Sequence, residues 1–452
     1  MHPPDGRLPL WTSDWRRRPF DPASLDSLCR EEIARIQDEA AAQSVAYAAS
    51  HSPFYRRLFK SLGIDPGDIR GTADLSGLPF TTKQDIAEQG REFWAVSGPG
   101  IIDIPTTSGT TGSPTLIPLT ENDLVRLSYN EFLSFRSAGL TDRDVALLAV
   151  TMDKCFMAGL AYFEGLRRLG AATVRVGSGS PVMLLGFLER LRPTAIVSVP
   201  SFLKRVAVYA REKNINLAKA SVRRLICIGE PIREGNLELN ALGRQITEAW
   251  GATAHSTYAA TELATSFCEC TSCRGGHLLP ELLSIEIVDD AGRPVADGEV
   301  GEIVATPLGV EGMPLLRFRT GDCTYLTRER CACGRWTPRL GPIFGRKNQL
   351  MKVKGTSVYP AAVQKSLAAV SQVVDYVMVV TSPTTLSDEL EVIAATNGNP
   401  DDTIRAITEQ LQGDLKVTPS VRIAALAEVN ALQGGEGLRK KRLFIDKRGT
   451  HA

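Results

Sequence analysis

The chain has 452 residues, 43% of them hydrophobic, and its 52 Lys and Arg offset 51 Asp and Glu to a net charge of +1. That length exceeds what one hydrophobic core usually serves, so at least two domains are expected, and the balanced charge argues against nucleic acid or an anionic membrane as partner. The nine cysteines, an odd number in so long a chain, do not make a disulfide framework. Met1 to Leu10 carry no basic stretch followed by an apolar core, and no later stretch reaches the ~20 apolar residues of a membrane span, so a soluble cytoplasmic protein is expected.

Asp21 and Pro22 read as an N-cap and first helical residue, and Leu25, Leu28, Ile33, Ile36 and Ala40 then recur at helical spacing. Next comes Thr106-Thr107-Ser108-Gly109-Thr110-Thr111-Gly112-Ser113-Pro114, which packs hydroxyls, flexible backbone and closely spaced amides into one loop. Such a loop suits a phosphate, because glycine lets the backbone approach an anion and hydroxyls add donors without fixed charge. It lacks the Lys-Ser/Thr of a Walker A loop, so the balancing cation must come from elsewhere in the chain.

Between residues 145 and 228 the apolar runs Val145–Val150, Ala172–Val176, Ala195–Val199 and Leu225–Ile228 alternate with longer helix-like segments, the signature of α/β layering. Ser284–Val288, the turn Asp289-Asp290-Ala291-Gly292 and Glu299–Ala305 then read as a β-hairpin. Beyond Gly355, apolar Val374–Val380 and Leu390–Ala394, helical Asp401–Leu411 and apolar Val421–Ala425 fit a small α+β domain.

Cys268-x-Cys270-x2-Cys273, with His277 beyond, and Cys331-x-Cys333-Gly334 have the short spacings of a tetrahedral zinc knuckle. Six candidates compete for four positions; the expected ligands are Cys270, Cys273, Cys331 and Cys333, with Cys268 or His277 as substitutes. An all-thiolate set leaves no open position, so the metal is expected to be structural.

The loop is followed in order by Tyr258-Ala259-Ala260-Thr261-Glu262, Phe318-Arg319-Thr320-Gly321-Asp322, Gly345-Arg346 and Lys352-Val353-Lys354-Gly355. With Ser52-Pro53-Phe54-Tyr55, Leu78-Pro79-Phe80-Thr81-Thr82-Lys83 and Ile445-Asp446-Lys447-Arg448, this series resembles the adenylate-forming superfamily, specifically phenylacetate-CoA ligase-like enzymes. The resemblance implies an α/β fold with a large multi-layer adenylation domain (residues 1–344), a hinge (345–348) and a small mobile α+β lid (349–452). It also implies ATP-dependent activation of a small aromatic carboxylic acid, followed by transfer to coenzyme A. A carrier-protein thiol or an amine is the alternative acceptor, a nucleotide- or acyl-binding protein without catalysis is the competing class, and a homodimer is the candidate assembly.

The same resemblance assigns roles. Thr107, Ser108, Gly109, Thr110, Thr111 and Gly112 would hold the β- and γ-phosphates, Glu262 would bind Mg²⁺, and Thr261 would touch the α-phosphate. Gly229, Glu230 and Pro231, with Tyr258, would line the nucleotide, Asp322 would accept from both ribose hydroxyls, and Arg346 would lie near ribose and phosphates. The missing cation would be Lys440 or Lys441: counting six residues back from Asp446 selects Lys440, an offset of one selects Lys441, and Leu443 stands where the family pattern has Arg. Phe156, Met157, Tyr258, Ala259 and Ala260 would form the acid's slot, with Ala259 adding a methyl where glycine is usual.

Overall fold

The structure, a computed structural model, describes residues 28–107, 114–353, 356–382, 387–434 and 442–448. The chain divides into two compact units. The first comprises residues 1–238, 243–320 and 324–342, and the second residues 239–242, 321–323 and 343–452.

The first unit is organised by a sheet of β1 (Val145–Ala149), β2 (Ala172–Arg175), β3 (Ala195–Ser198), β4 (Arg224–Ile228), β5 (Thr253–Ala260) and β6 (Thr265–Cys268). Their order is β2-β1-β3-β4-β5-β6. The first five are parallel, and β6 turns back antiparallel against β5. β3 and β4 are near-continuous apolar runs because helices cover both faces of such a sheet. The connecting helices span Met157–Leu169, Pro181–Leu191, Pro200–Glu212 and Ala241–Trp250. Pro181 and Pro200 stand in the first turn of theirs, where the missing N–H costs nothing. The Met157–Leu169 helix lies so close to its neighbours that a Cβ on Gly159 would stand 2.1 Å from the Thr151 carbonyl oxygen, and one on Gly165 would stand 2.4 Å from Glu131 Cβ.

At the amino end, the helix Arg30–His51 begins at Cys29, whose amide donates to the Glu32 carboxylate at 2.9 Å. The expected start at Asp21-Pro22 lies outside the described residues. Further along come β7 (Gly276–His277) and the hairpin of β8 (Leu283–Val288) and β9 (Gly301–Pro307), in register from Leu283↔Pro307 to Val288↔Glu302. After β10 (Phe318–Thr324), β11 (Leu326–Thr327) and β12 (Arg339–Leu340) form a small sheet in the order β11-β12-β7.

In the second unit, Asp322 and Cys323 of β10 pair with β13 (Gly345–Arg346). A short antiparallel pair, β14 (Met351–Val353) and β15 (Thr356–Val358), precedes β16 (Val373–Thr381), β17 (Glu389–Thr396), β18 (Ser420–Ile423) and β19 (Phe444–Asp446). These last four make one sheet, β18-β17-β16-β19. Helices Pro360–Ala369 and Pro400–Leu415 supply Val363, Leu367, Ile407 and Leu411 to a core with Met378, Val380 and Val392. Alternation along β16 and β17 sends Val377, Val379 and Ile393 to the other face, against Val429.

Candidate active site

In a parallel sheet whose strand order reverses, the crevice for a ligand opens at the carboxyl ends of the strands, here between β1 and β3. The sequence-predicted residues of the first unit collect along that edge. Phe156 and Met157 follow β1, Gly229 to Pro231 follow β4, Tyr258 to Ala260 end β5, and Thr261 and Glu262 form the 3₁₀ turn Thr261–Leu263. The shoulders of the Ser/Thr/Gly loop reach the same edge. Thr106 N–H donates to the Cys155 carbonyl at 3.0 Å, Thr107 N–H to Thr115 O at 3.1 Å, and Thr115 N–H to Thr107 Oγ1 at 3.2 Å. Ser108, Gly109, Thr110, Thr111 and Gly112 themselves lie outside the described residues.

Glu262 is nearly buried, with its side chain 10% exposed, and its Oε1 lies 3.7 Å from Lys83 Nζ. Lys83 opens the helix Lys83–Gln89 behind the N-cap Thr82, whose hydroxyl accepts from Asp85 N–H at 3.1 Å. The preceding residue is fixed in turn: Thr81 N–H donates to Arg317 O at 3.1 Å, and Arg319 N–H donates to Thr81 O at 2.8 Å. Sequence reasoning gave Lys83 no role, although the Leu78–Lys83 segment was among the segments that carry the resemblance.

Other predicted residues take more specific positions. Gly229 adopts φ +71°, and Glu230 turns its carboxylate onto the start of the Pro200–Glu212 helix, accepting from Ser201 N–H and Ser201 Oγ at 2.8 Å each. Met157 is buried, Phe156 half-buried and Ala259 exposed. The Tyr258 ring lies 6.0 Å from that of Phe267 and lines a shallow crevice with Arg233, Ser256 and Glu269. Glu269 is buried yet fully engaged, taking hydrogen bonds from Arg233, from Ser256 N–H at 2.8 Å and from Gly275 N–H at 3.2 Å. In the second unit, Asp322 and Arg346 face each other across β10 and β13, with Nε 3.4 Å from Oδ1. Lys440 and Lys441 lie outside the described residues.

The cysteine motifs converge in the first unit, where the ligand atoms of Cys270, His277, Cys331 and Cys333 all lie within 4.8 Å of one another. The Cys270 and Cys331 sulfurs are 3.7 Å apart, and Cys333 Sγ is 3.5 Å from His277 Nε2. The other imidazole nitrogen, Nδ1, is 2.7 Å from Thr337 Oγ1, which leaves Nε2 to face the sulfurs. Burial holds His277 below the usual imidazole range, favouring the neutral ring, and the hydrogen bond with Cys270 pushes the Cys331 thiol downward.

Of the six expected candidates, this grouping holds Cys270, Cys331, Cys333 and the substitute His277, while Cys273 stands apart from it. Cys273 closes a turn, donating its N–H to Cys270 O at 3.0 Å, and adopts φ +53°. Its sulfur consequently points away, 3.9 Å from Ala254 O and 3.7 Å from His255 Nδ1. Cys268 is buried beside Thr257, its sulfur 3.4 Å from that hydroxyl, and is likewise outside the group.

A family model described as "AMP-binding enzyme" matches residues 61–310, more than half of the chain. The phenylacetate-coenzyme A ligase of Thermus thermophilus is 32% identical over 409 residues, covering 89% of this chain and 90% of that protein. The chain belongs to the AMP-binding enzyme family. Another relative of this AMP-binding enzyme, the phenylacetate-coenzyme A ligase of Escherichia coli, is 28% identical over 359 residues, 77% of this chain and 78% of that one. Among solved structures, 2-hydroxyisobutyryl-CoA ligase in its postadenylation state matches with a TM-score of 0.80 at 23% identity, covering 94% of this chain and 91% of that one. That likeness establishes a shared fold: a large amino-terminal and a smaller carboxyl-terminal domain.

Proposed function

We propose that this AMP-binding enzyme is an ATP-dependent carboxylic acid–CoA ligase: it adenylates a small aromatic carboxylate, releases pyrophosphate, and passes the acyl group to coenzyme A. The observation that carries the reading is the gathering of Tyr258–Glu262, the Gly229–Pro231 strip and the shoulders of the Thr107–Gly112 loop along one carboxyl edge of the sheet. The relation to the phenylacetate-coenzyme A ligase of Thermus thermophilus, over 89% of this chain, supports it.

A carboxylate is a poor acylating agent until one oxygen is replaced by a good leaving group. Adenylation does so by attack of a carboxylate oxygen on the α-phosphorus, breaking the bond to the pyrophosphate oxygen. Charge builds on the phosphate oxygens, so the work is positioning and electrostatic stabilisation. In this reading the Thr107–Gly112 loop holds the β- and γ-phosphates, Thr261 donates to the α-phosphate, and Gly229–Pro231 with Tyr258 line the base. Asp322, an acceptor only, suits the two ribose hydroxyls, and Arg346 keeps beside it. Lys440 or Lys441 brings the cation for the acid and α-phosphate, then withdraws as the small unit rotates about residues 345–348 for acyl transfer. Phe156, Met157, Tyr258, Ala259 and Ala260 form the acid slot.

Two metals belong to the reading. Glu262 offers hard oxygen ligation for Mg²⁺, which when bound neutralises phosphate charge. Cys270, His277, Cys331 and Cys333 fit a structural Zn²⁺: tetrahedral Zn–S of ~2.3 Å and Zn–N of ~2.0–2.1 Å place two sulfurs ~3.8 Å apart and a sulfur ~3.5 Å from a nitrogen. Those are close to the 3.7 and 3.5 Å found. The same reading assigns the enzyme to the cytoplasm, where ATP and coenzyme A are both available.

The test is pyrophosphate release over a panel of benzoates, aminobenzoates, hydroxybenzoates and phenylacetate, each with and without coenzyme A. Release that depends on one acid and is stimulated by coenzyme A is expected. Stoichiometric release without stimulation would move the acceptor to a carrier thiol or amine, and no release with ATP bound would favour a binder.

A further inference from the structure

We infer that Arg448 is a positioning residue for adenylation, locking the backbone just after the hinge to the carboxyl-terminal strand so that the two travel as one body. The inference rests on the two-step reading above, but its structural part stands on contacts within the second unit alone.

The Arg448 side chain is 19% exposed and every edge of its guanidinium is used. Nη1 donates to Leu350 O at 2.7 Å and lies 3.2 Å from Asp388 Oδ2. Nη2 donates to Asn348 O at 2.7 Å and to Asp446 Oδ2 at 2.7 Å, and Nε donates to Asp446 Oδ1 at 2.9 Å. Asp388 completes the clamp: it accepts from Lys352 N–H at 2.7 Å, and its own N–H donates to Lys352 O at 2.8 Å. One side chain and its carboxylate partner thus engage residues 348, 350 and 352, alternate positions of the stretch that follows the hinge. Only a planar fork with five donors can serve two carbonyls and two carboxylates at once; a lysine ammonium has three donors and no fixed plane.

The strand at the other end of this clamp is itself fixed. β19 runs parallel to β16 in the register Met378↔Phe444 to Val380↔Asp446, and Lys447 N–H donates to Val380 O at 2.8 Å. β19 also follows Lys440 and Lys441 by only a few residues in the chain. Whatever turns residues 348–352 must therefore turn β19 with them. Misplacing a reacting group by about 1 Å costs on the order of 10²-fold in rate. Loosening the clamp should consequently penalise the step that needs the lysine and spare the step from which it is withdrawn.

The experiment uses full-length Arg448→Met and Arg448→Lys, with Arg422→Met as a control; Arg422 pairs with exposed Glu391 and Glu428 elsewhere on the same unit. Adenylation, thioester formation from a supplied acyl-adenylate, and hydrogen exchange of peptides covering residues 346–353 are measured in parallel. Both Arg448 variants should lose ~10–100-fold in adenylation kcat, with little change in KM for ATP and in thioester formation. Exchange over 348–352 should speed up, and the control should do neither. Equal loss in both half-reactions, or unchanged adenylation, would overturn the inference. Should the unaltered enzyme adenylate no acid, the functional reading fails instead; the exchange measurement then decides the clamp, and unchanged exchange in Arg448→Met would sink it.

Discussion

The carboxyl edge of the large sheet and the Cys/His group are both built on short connections within the first unit, yet they handle their polar atoms in opposite ways. At the edge, Glu262 faces a lysine that is 42% exposed and stands 3.7 Å away, while the expected site residues along that edge vary from buried Met157 to exposed Ala259. In the Cys/His group, Cys270, His277 and Cys331 are buried, and the spare imidazole nitrogen is already met by Thr337. An arrangement left loosely paired can exchange its partners for a ligand's. One that is closed on itself and buried can only hold.

The sharpest way to break this comparison is Glu262→Gln. It should lower adenylation by about 10²-fold, the usual scale for losing one charged group at a developing charge, while leaving the melting temperature near that of the parent. A large drop in melting temperature would assign Glu262 to the framework. The opposite pattern is expected of the Cys/His group: His277→Ala or Cys331→Ser should abolish bound zinc by elemental analysis and destabilise the fold by more than about 3 kcal/mol. Cys273→Ser should retain the same zinc content as the parent, and a loss of zinc there would make Cys273 a ligand.

A comparable cost is expected where a buried pair braces the strand that enters the Cys/His loop. Arg233→Met would leave Glu269, 1% exposed, without its cation, at a cost of about 3–5 kcal/mol in chemical denaturation. Glu131 gives a pH-dependent version of the same physics. Burial pushes its carboxyl up to about 7, so the folded state holds a proton that the unfolded chain releases above its ordinary range. Stability from this group is therefore lost as pH rises from about 4.5 through about 7. Glu131→Gln should stabilise the protein by up to ~3 kcal/mol at pH 8 and by little at pH 4; equal effects at both would exclude the titration. The smallest change belongs to the open site: Lys83→Met should alter stability by less than ~1 kcal/mol, because the lysine is 42% exposed and its contact with Glu262 is a long 3.7 Å.

Periodicity made the framework legible. The apolar runs at Val145, Ala172, Ala195 and Leu225 each became a strand of one sheet, and the Asp289–Gly292 turn joined the expected hairpin, because alternation and burial are local properties of the chain. The Cys/His group was legible only as a pool of candidates. Spacing placed Cys270 and Cys273 together as a knuckle, but the choice between Cys273 and His277 depends on a left-handed turn at Cys273 and on Thr337, 60 residues beyond His277. Lys83 beside Glu262 and Arg448 on Asn348 were hidden for the same reason. Each pairs residues roughly a hundred or more positions apart, and nothing in either local sequence names the other.

The turn of Glu230 onto Ser201 ties the strip proposed for the nucleotide to the first turn of the Pro200–Glu212 helix. For anyone reshaping the enzyme toward a new acid, Ser201 is then a poor single target. Exchanging its side chain would strip one of the two bonds that hold the Glu230 carboxylate, leaving only the backbone N–H of position 201 on it. Libraries that vary positions 201 and 230 jointly should recover functional members that single-site libraries discard.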